Sequence, residues 1–528
     1  MTNSIGEMED CEVMFIIGSN TNENHPVIGS TLRRAVTQKG GKLIVADPRR
    51  IGMVRDATIW LQHRPGTDAA LINGMLNVIL AQGLQNQEFI DSRTENFEAM
   101  KKVVAGYTPD KVSEITGVPA KDIIAAARLY AGAKTGAIFY AMGITQHTNG
   151  TDNVKNLANL AMVCGHVGRP ATGVNPLRGQ NNVQGACDMG GLPGDLPGYQ
   201  KVADLQARKK VAAIWGRKTL PAKVGLTVTE MMDATEHGEV KVLYIMGENP
   251  MVSDPNLRHV EKSLKKTEFL VVQDIFLTET AALADVVLPS AAWAERDGTF
   301  TNTERRVQRI RKAVDAPGQA REDWWIITQL AKRLNQKWDY KSPKQVFDEI
   351  AKVTPSYAGI SYARLERGNG LQWPCPTSRH PGTPILHAAG FARGKGFFTP
   401  VEHQEPAETP NKAYPFTLTT GRILYHYHTR SMTGRAEGLN QLAPECEVEI
   451  NPADARSLRI KDGQMVKVAS RRGAVTAKAW VTDRVAKGVV FMPFHFAEAA
   501  ANRLTIGALD PVAKIPEFKV CTVKLQKA

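Results

Sequence analysis

The sequence lacks three features, and each absence removes a class of protein. The closest pair among its six cysteines is 23 residues apart, which excludes C-x-x-C zinc or iron–sulfur motifs in these 528 residues and a disulfide scaffold. No apolar run approaches the roughly 18 residues that a membrane span needs. The opening residues are polar and acidic, unlike a secretory signal. We therefore expect no direct membrane span, a reducing compartment and a cytoplasmic location.

What the chain does have is an excess of positive charge. It carries 66 basic and 53 acidic side chains, a net charge of +13, which favours anionic partners such as phosphate-rich cofactors and small carboxylates. The densest basic run, residues 305–312, reads RRVQRIRK, and no zinc-finger spacing, RNP-like aromatic motif or heptad repeat accompanies it. We therefore interpret that run as a solvated face and expect no nucleic acid partner.

One pattern of strand, glycine, helix, strand and acid occurs twice. In the first copy an apolar run ends at Gly18, and the next apolar run ends at Asp47. In the second copy the corresponding runs end at Gly247 and Asp274. The glycine-to-acid spacings are 29 and 27 residues. A third run leads in each copy to a Gly-Thr pair, 48 and 51 residues after the first glycine, so the chain contains an internal repeat.

The matched spacing favours two nucleotide-type sites. Each copy is typical of a parallel, doubly wound unit. A glycine at the strand-to-helix turn lets the backbone approach a phosphate at a helix N-terminus. An acid after the next strand can accept hydrogen bonds from a ribose or from the edge of a base. The alternative is a duplicated scaffold whose second site is empty.

The later part of the chain predicts a loop-rich connector followed by a β-barrel. Short apolar strands begin near residue 415, and Asp-Gly and Arg-Gly turn signals separate them. The predicted fold class is α/β, with two doubly wound dinucleotide-binding modules and a C-terminal β-barrel. The predicted domains are 1–180 and 181–325 for the two modules, 326–412 for a helical and loop-rich connector, and 413–528 for the barrel.

A stretch of sixteen residues carries a resemblance to a known family. Residues 175–190 read NPLRGQNNVQGACDMG. This stretch resembles the signature of the catalytic (alpha) subunit of molybdenum- or tungsten-dependent formate dehydrogenases, which belong to the molybdopterin oxidoreductase family. The resemblance covers essentially the whole chain. Shorter motifs that carry it are Gly18-Ser19-Asn20, Asp47-Pro48-Arg49, Pro65-Gly66-Thr67-Asp68, Met142-Gly143-Ile144-Thr145-Gln146, Gly247-Glu248-Asn249-Pro250, Gln273-Asp274 and Arg430-Ser431-Met432-Thr433-Gly434.

The resemblance implies a bis-molybdopterin guanine dinucleotide cofactor with molybdenum or tungsten, and it assigns cofactor-binding residues. Residues 1–180 would supply Gly18, Asn20, Glu23, Asp47, Arg49, Gly66, Asp68, Met142, Gln146 and Gln180. The second module would supply Gly247, Glu248, Ser253, Gln273, Asp274, Ser290 and Asp323. The barrel would close over both dinucleotides through Arg422, His426, Tyr427, His495, Asn502 and Lys519.

Arg178, inside the sixteen-residue stretch, is the predicted catalytic residue. Formate is a small carboxylate, and a guanidinium can hold a carboxylate through two parallel hydrogen bonds. In the family that the chain resembles, the arginine of this motif orients formate. A structural salt bridge is the alternative role. Cys187 lies in the same stretch, but the resemblance implies a metal ligand from upstream, so no residue of this chain is predicted to bind the metal.

Two parts of the family pattern are missing from this sequence. Relatives begin with a cysteine-rich [4Fe–4S] domain, followed by a cysteine or selenocysteine that ligates the metal and a histidine that handles the proton. The chain opens with Met1-Thr2-Asn3, inside the pattern that follows this ligand. We therefore expect a C-terminal portion that is inactive alone. We hypothesise an in-frame UGA codon for selenocysteine a short distance upstream, with a deliberately cut or split gene as the alternatives.

The expected function is the reversible oxidation of formate to CO2. Electrons would leave through iron–sulfur or NAD-linked electron-transfer subunits. Two alternatives stay open: a molybdopterin oxidoreductase with another substrate, such as nitrate, and a non-catalytic cofactor-binding paralogue. The arginine motif argues against nitrate. The sequence does not choose between molybdenum and tungsten, or between a cysteine and a selenocysteine ligand.

Overall fold

The computed structural model of the protein describes residues 1–528, which fold into two compact units. One unit comprises Met1–Gly179, Val252–Arg258 and Ile385–Ala528, and the other comprises Gln180–Met251 and His259–Pro384. The structure is mixed α/β, with parallel sheets and a closed barrel. The predicted fold class is therefore confirmed.

A parallel sheet forms the centre of the N-terminal region. The strands within residues 1–179 are β1 (Val13–Ile17), β2 (Lys42–Ala46), β3 (Ile59–Leu61), β4 (Thr94–Glu95), β5 (Gly136–Tyr140) and β6 (Gly173–Pro176). All except β4 form one sheet in the order β3-β2-β1-β5-β6. We call it the first sheet. Its order reverses between β1 and β5, which is where doubly wound folds open a crevice for ligands.

Helices cover both faces of the first sheet. They are α1 (Thr21–Asn24), α2 (Pro26–Lys39), α3 (Asp68–Ala81), α4 (Gln87–Arg93), α5 (Phe97–Val104), α6 (Pro109–Thr116), α7 (Ala120–Ala131), α8 (Met142–Thr145) and α9 (Gly150–Val163). Leu32 of α2 packs with Met14 and Ile16 on one face, while α3, α7 and α9 pack with Phe15 and Ile17 on the other. Every residue of β1 and β5 is consequently buried, which explains their continuous apolar runs.

Residues 180–384 contribute eight further strands and eight helices. The strands are β7 (Asp195–Leu196), β8 (Gln200–Lys201), β9 (Val242–Met246), β10 (Phe269–Asp274), β11 (Val286–Pro289), β12 (Gly298–Thr301), β13 (Arg306–Ile310) and β14 (Leu371–Gln372). The helices are α10 (Val183–Asp188), α11 (Leu205–Ile214), α12 (Val228–Glu236), α13 (Pro250–Ser253), α14 (Leu257–Lys266), α15 (Asp323–Arg333), α16 (Pro343–Val353) and α17 (Tyr362–Leu365). None of the protein's helices combines the length and apolar character that a membrane crossing requires.

The second copy of the repeat forms a smaller parallel sheet. It has three strands in the order β11-β10-β9, and we call it the second sheet. Leu243 and Val272 lie on its buried face, in one apolar cluster with residues of α12 and α14. Along β9 the alternate side chains Val242, Tyr244 and Met246 are 59%, 38% and 45% exposed. The second sheet is therefore covered less completely than the first.

The C-terminal region closes into the predicted β-barrel. Its elements are β15 (Gly396–Phe397), which pairs with β4, then β16 (Phe416–Gly421), α18 (Glu437–Leu442), β17 (Glu447–Ile450), α19 (Pro452–Leu458), β18 (Met465–Ala469), β19 (Ala474–Val481), β20 (Val489–Pro493) and β21 (Cys521–Lys527). The closed barrel has the order β16-β20-β17-β19-β18-β21. Buried apolar side chains from all six strands form its core.

One interpretation of the charge pattern was only partly correct. The basic run at residues 305–312 is only in part a solvated face, because Arg305 is 2% exposed. Its guanidinium donates to the carbonyl oxygens of Thr383 and Pro384, each at 3.0 Å. A buried guanidinium needs acceptors for its N–H groups, and here the loop-rich segment supplies them. Arg305 therefore fastens that segment inside its own unit.

Candidate functional site

The turn after β1 brings two backbones into contact at the reversal point of the first sheet. Gly18 has a φ of +58°, and its carbonyl oxygen accepts a hydrogen bond from the Gly143 amide at 3.0 Å. A Cβ on Gly18 would lie 2.8 Å from backbone atoms of Gly143 and Ile144. Glycine is therefore required here by conformation and by space. We call this contact the Gly18–Gly143 crossing.

Polar side chains in the next turn are buried without a hydrogen-bond partner. The unpartnered atoms are Asn20 Nδ2 and Oδ1, Asn22 Oδ1, Asn24 Oδ1 and His25 Nδ1. The other ring nitrogen of His25 contacts the Arg178 carbonyl oxygen at 2.7 Å, and burial lowers the pKa of His25. The ring is then neutral and donates from Nε2. Because buried polar groups are normally hydrogen-bonded, this turn has the character of a ligand-binding surface.

Asp47 and Lys519 are half-buried opposite charges near the same edge of the first sheet. Asp47 accepts a hydrogen bond from the Arg49 amide at 2.9 Å, and burial raises the pKa of Asp47 to about 6. Lys519 Nζ donates to the Thr420 carbonyl oxygen at 2.6 Å. Burial, with the charge of Arg422 as a further cause, lowers the pKa of Lys519 to about 7. An anion beside Lys519 would stabilise its protonated form.

Arg178 follows β6 and lies near a second guanidinium. The carbonyl oxygen of the next residue, Gly179, accepts a hydrogen bond from Arg422 Nη1 at 2.9 Å. Burial lowers the pKa of Arg422 from its ordinary value. Burial also raises the pKa of Tyr140 to about 12, although the nearby charge of Arg178 opposes that shift. The two arginines thus create a positive region that suits a small anion.

Two predicted cofactor residues form ion pairs with the barrel. Arg49 Nε donates to Glu449 Oε2 at 2.7 Å, and both side chains are almost fully buried. The guanidinium carbon of Arg49 also lies 3.8 Å from the ring centroid of Phe491. Glu23 pairs with Arg484 at 3.0 Å. These pairs attach the barrel to the first sheet, so the charges of Arg49 and Glu23 are already compensated within the protein.

Gly66 and Asp68 lie at the start of α3. Gly66 has a φ of +84°, and a Cβ there would lie 2.5 Å from a side-chain carbon of Pro406. Asp68 is buried, and its carboxylate pairs with His63 at 3.0 Å and faces His147 at 3.7 Å. Sequence reasoning selected Asp68 but missed both histidines, since no motif links positions 63 and 147 to it.

The residues expected from α8 and the barrel are only partly free to bind a ligand. The Gln146 carbonyl oxygen accepts from the Lys519 amide at 3.4 Å, and Met142 Sδ accepts from a threonine hydroxyl one turn later. Both ring nitrogens of His426 contact oxygens of the barrel. His495 donates to the His428 carbonyl oxygen at 2.5 Å and accepts an amide, while burial lowers the pKa of His495 to about 3. His426 and His495 therefore act in the barrel as hydrogen-bonded neutral rings.

Asn502 and Ser253 lie together in the first unit. Asn502 Nδ2 donates to the carbonyl oxygens of Val252 and Ser253, both at 2.9 Å, and its Oδ1 is buried without a partner. The Ser253 hydroxyl donates to Asp254 at 3.0 Å, and burial raises the pKa of Asp254 to about 6. This pair was predicted from the resemblance alone, and the structure brings it together across 249 residues of chain.

The carboxyl ends of β10 and β11 gather three predicted residues into one cluster. Gln273 Nε2 donates to Ser290 Oγ at 3.1 Å and to Asp323 Oδ1 at 2.7 Å. Ser290 Oγ donates to the same carboxylate oxygen at 2.6 Å. Arg296 pairs with Asp323, and the Tyr244 hydroxyl donates to Gln273. We call these residues the Gln273 cluster.

The turn after β9 repeats the geometry of the turn after β1. Gly247 has a φ of +64°, and its amide donates to the Gln273 carbonyl oxygen at 2.9 Å, as the Gly18 amide does to Ala46 at 3.1 Å. Asp274, at the end of β10, accepts the next backbone amide at 2.7 Å. The two glycines are thus at equivalent strand-to-helix turns. The other predicted residues that lie outside helices and strands are Gln180, Glu248 and Tyr427.

The residues of the first unit fit a phosphate-bearing cofactor. The unpartnered atoms after β1 offer hydrogen bonds to such a ligand. Arg178, Arg422 and Lys519 supply positive charge in the same region. A pyrophosphate would satisfy these cations and raise the protonated fraction of Lys519.

Comparisons with known proteins agree with this arrangement. Residues 1–333 match the molybdopterin oxidoreductase family, and residues 416–522 match the molydopterin dinucleotide binding domain. The whole chain is 55% identical to the F420-dependent formate dehydrogenase subunit alpha of Methanocaldococcus jannaschii, of which it covers 78%. It is 41% identical to formate dehydrogenase H of Escherichia coli, of which it covers 74%.

A solved structure shows the same fold. The acetylene hydratase from Pelobacter acetylenicus superimposes with a TM-score of 0.79 at 23% identity, over the whole of this chain and 79% of that one. The expected resemblance to formate dehydrogenase alpha subunits is confirmed by relatives that match along the full chain. The paired glycine turns, the cationic region of the first unit and these matches lead to one conclusion: the chain belongs to the molybdopterin oxidoreductase family.

Proposed function

We propose that the chain is the catalytic portion of a formate dehydrogenase. It would interconvert formate and CO2 at a molybdenum or tungsten atom carried by two molybdopterin guanine dinucleotides. The observation that carries the proposal is Arg178, just after β6, whose carbonyl oxygen contacts His25 and whose neighbour Gly179 accepts a hydrogen bond from Arg422. Relatives named as formate dehydrogenases, with 55% and 41% identity, support the same substrate.

The chain's own residues would bind and orient the substrate. Arg178 would hold both oxygens of formate, because its planar guanidinium matches a carboxylate. His25 fixes the backbone of Arg178 through its ring nitrogen. Arg422 and Lys519 add positive potential, which raises the local concentration of an anion. A bound cofactor would supply the acceptor for the two electrons and the hydrogen that leave formate as it becomes CO2.

The proposal also covers the partner subunits, an iron–sulfur cluster and the cellular location. Several relatives are named as alpha subunits, which supports further subunits. We propose that these are iron–sulfur or NAD-linked electron-transfer subunits, that a [4Fe–4S] cluster lies outside these 528 residues, and that the enzyme is cytoplasmic. Metal and sulfide analysis of the purified complex, followed by cell fractionation, tests each point.

Formate-dependent dye reduction by the holoenzyme tests the substrate. Arg178→Ala should raise KM and lower kcat/KM by about two or more orders of magnitude, the scale of losing a charged hydrogen-bonded pair of about 2–4 kcal/mol. Arg178→Lys should recover only part of this, since an ammonium lacks the fork. Arg128→Ala, on the exposed side of α7, is the matched control.

Three outcomes would overturn the proposal. Near-normal kinetics in both Arg178 variants would remove its role. Nitrate reduction without formate oxidation would favour the relative named assimilatory nitrate reductase, which is 37% identical. A holoenzyme that binds the dinucleotides but turns over neither substrate would indicate a non-catalytic paralogue.

A further inference from the structure

A buried row of charged and titratable side chains lies behind the Gly18–Gly143 crossing. His63 Nε2 is 3.0 Å from Asp68 Oδ1. The second oxygen, Asp68 Oδ2, is 3.7 Å from His147 Nε2, and His147 Nδ1 is 3.7 Å from Glu517 Oε1. All four side chains are at most 3% exposed. None belongs to the positive region around Arg178, and the proposed reaction uses none of them.

The surroundings of His63 require a proton on both of its ring nitrogens. Nε2 faces the Asp68 carboxylate, and Nδ1 faces the Leu61 carbonyl oxygen at 3.4 Å. Both neighbours are acceptors, so a neutral ring would leave one nitrogen lone pair against an oxygen. When Asp68 is ionised, as its lowered pKa favours, only an imidazolium satisfies both contacts. Asp47 adds a second negative charge at longer range.

The electrostatic balance agrees with this geometry. Burial works against a charged ring, but the charge and hydrogen bond of Asp68, with Asp47, outweigh it and raise the pKa of His63. Burial likewise disfavours ionised Asp68, but His63 and then His147 outweigh it and lower the pKa of that carboxyl. Both shifts favour the ionised form of the pair.

His147 connects this ion pair to the crossing. Its Nε2 contacts the Gly143 carbonyl oxygen at 2.8 Å, and the Gly143 amide donates to Gly18. With Asp68 compensated by His63, His147 can donate its Nε2 proton to Gly143. Without the cation, the uncompensated Asp68 carboxylate would compete for that same proton from 3.7 Å away.

We propose that His63 is held as an imidazolium at neutral pH and that, with Asp68 and His147, it positions the Gly18–Gly143 crossing. His63 is thus a positioning residue for the first dinucleotide site. Only this last step depends on the proposed function, because the charge state and the crossing are properties of the chain itself. The other charged groups in the row are Asp47, Glu517 and, acting on Asp47, Lys519.

The charge state is measured by the ring nitrogen shifts of histidine-labelled protein. His63→Gln and His166→Gln assign the two signals. His166 is the internal control, since it is also buried against a carbonyl oxygen but burial lowers its pKa to about 4. At pH 7 we expect two protonated nitrogens on His63 and a neutral ring on His166. A neutral His63 at pH 7 would overturn the proposal.

Hydrogen exchange at Gly143 measures the positioning. The His63→Gln variant should exchange the Gly143 amide about tenfold faster at pH 7, whereas His166→Gln should leave it unchanged. The double variant His63→Gln/Asp68→Asn removes both charges and should restore most of the protection. Equal exchange in His63→Gln and the unaltered chain would overturn the positioning role. If the double variant is no better than His63→Gln, the ion pair is not the cause.

A pH profile separates this role from simple packing. Because the pKa of His63 is raised in the folded chain, its contribution is complete below the pKa of a free imidazole and is lost as pH rises through the folded value. The unaltered chain should therefore lose Gly143 protection in an extra step at high pH, and His63→Gln should lack that step.

Dinucleotide retention should fall several-fold in His63→Gln. If the unaltered chain carries no dinucleotide, the proposed function fails. The exchange and charge measurements still test whether His63 is an imidazolium that positions the Gly18–Gly143 crossing.

Discussion

The two copies of the repeat start from one chain pattern and end in different surroundings. The first sheet has five strands and is covered on both faces, whereas the second has three and exposes Val242, Tyr244 and Met246. In the first sheet β1 is central, with β5 beside it, but β9 is an edge strand. The sequence pattern therefore sets the positions of the glycine turn and the acid. The packing around them sets how much each contributes to the free energy of unfolding.

The surroundings of the first and second sheets also differ in how deeply they bury charged side chains. The first unit holds Asp47 and Lys519 half-buried and the Arg49–Glu449 pair almost fully buried. In the Gln273 cluster, the amide of Gln273 and the hydroxyl of Ser290 instead donate to the Asp323 carboxylate. The partly exposed Arg296 compensates the charge of that carboxylate. Removing a charge partner should be costly in the first case and mild in the second.

The glycine turns give the largest expected difference. Gly18→Ala adds a methyl group 2.8 Å from backbone atoms at a positive φ, while nothing lies within 4 Å of the corresponding Cβ of Gly247. We expect Gly18→Ala to lower the free energy of unfolding by about 3–5 kcal/mol, and Gly247→Ala by about 1–2 kcal/mol from backbone strain alone. Thermal unfolding of the two variants checks this. Equal losses would mean that the two turns are equally crowded.

The ion pairs should show the next largest difference. Arg49→Met leaves Glu449 buried, with Arg484 at 3.4 Å as its remaining partner, and should cost about 3 kcal/mol. Arg296→Met removes a partner from a pair whose side chains are about a quarter exposed, and should cost less than about 1 kcal/mol. Denaturant titration measures both. The double variant Arg49→Met/Glu449→Met should recover most of the loss, and a loss that stays would argue against the charge as its cause.

Lys519 should make the stability of the folded chain depend on pH. Its pKa is lowered to about 7 in the folded chain, chiefly by burial. The folded chain therefore resists protonation, and stability falls as pH drops from about 10 to about 7 and then levels off. In the cofactor-free protein, Lys519→Met should raise stability by several kcal/mol more at pH 6 than near pH 10. Thermal midpoints across this range test it, and a gain independent of pH would contradict the half-buried charge.

The smallest effect should come from the Gln273 cluster. Gln273→Leu removes three hydrogen bonds, those to Ser290, Asp323 and Tyr244, but leaves Ser290 and Asp323 bonded to each other at 2.6 Å. We expect a loss of about 1 kcal/mol that does not change between pH 6 and pH 9. The same thermal scans provide the measurement. A strong pH dependence would show that this site also relies on a titrating charge.

Local patterns predicted the glycine turns, the acids and most strands, because each is set by neighbours in sequence. The strands β1, β2 and β19 are examples, since continuous or alternating apolar runs define them. The sequence reasoning missed β17 and β21, whose apolar runs are interrupted by charged residues. Glu449 of β17 is buried against Arg49, whereas Lys527 of β21 is exposed. These strands are recognisable only once the barrel pairs them.

The sequence alone did not predict the long-range charge pairs. Arg49 and Glu449 are 400 residues apart, and His63 meets His147 only through Asp68. Their identities depend on which elements pack together, and no local periodicity encodes that. Arg305 was misread for the same reason, because its acceptors come from residues about 78 positions later. Family resemblance selected many site residues but not the partners that orient them.

The closing strand of the barrel has a consequence for biosynthesis. β21 pairs with both β16 and β18, and it follows every other barrel strand in the chain. While the polypeptide is being translated, the first sheet can form early, since its strands all lie within the first 179 residues. Lys519 emerges just before β21, so the first site receives its half-buried cation only when the barrel can close. A ribosome-bound chain would therefore hold a folded first sheet with an unfinished cofactor site, and high-affinity cofactor loading would follow translation rather than accompany it.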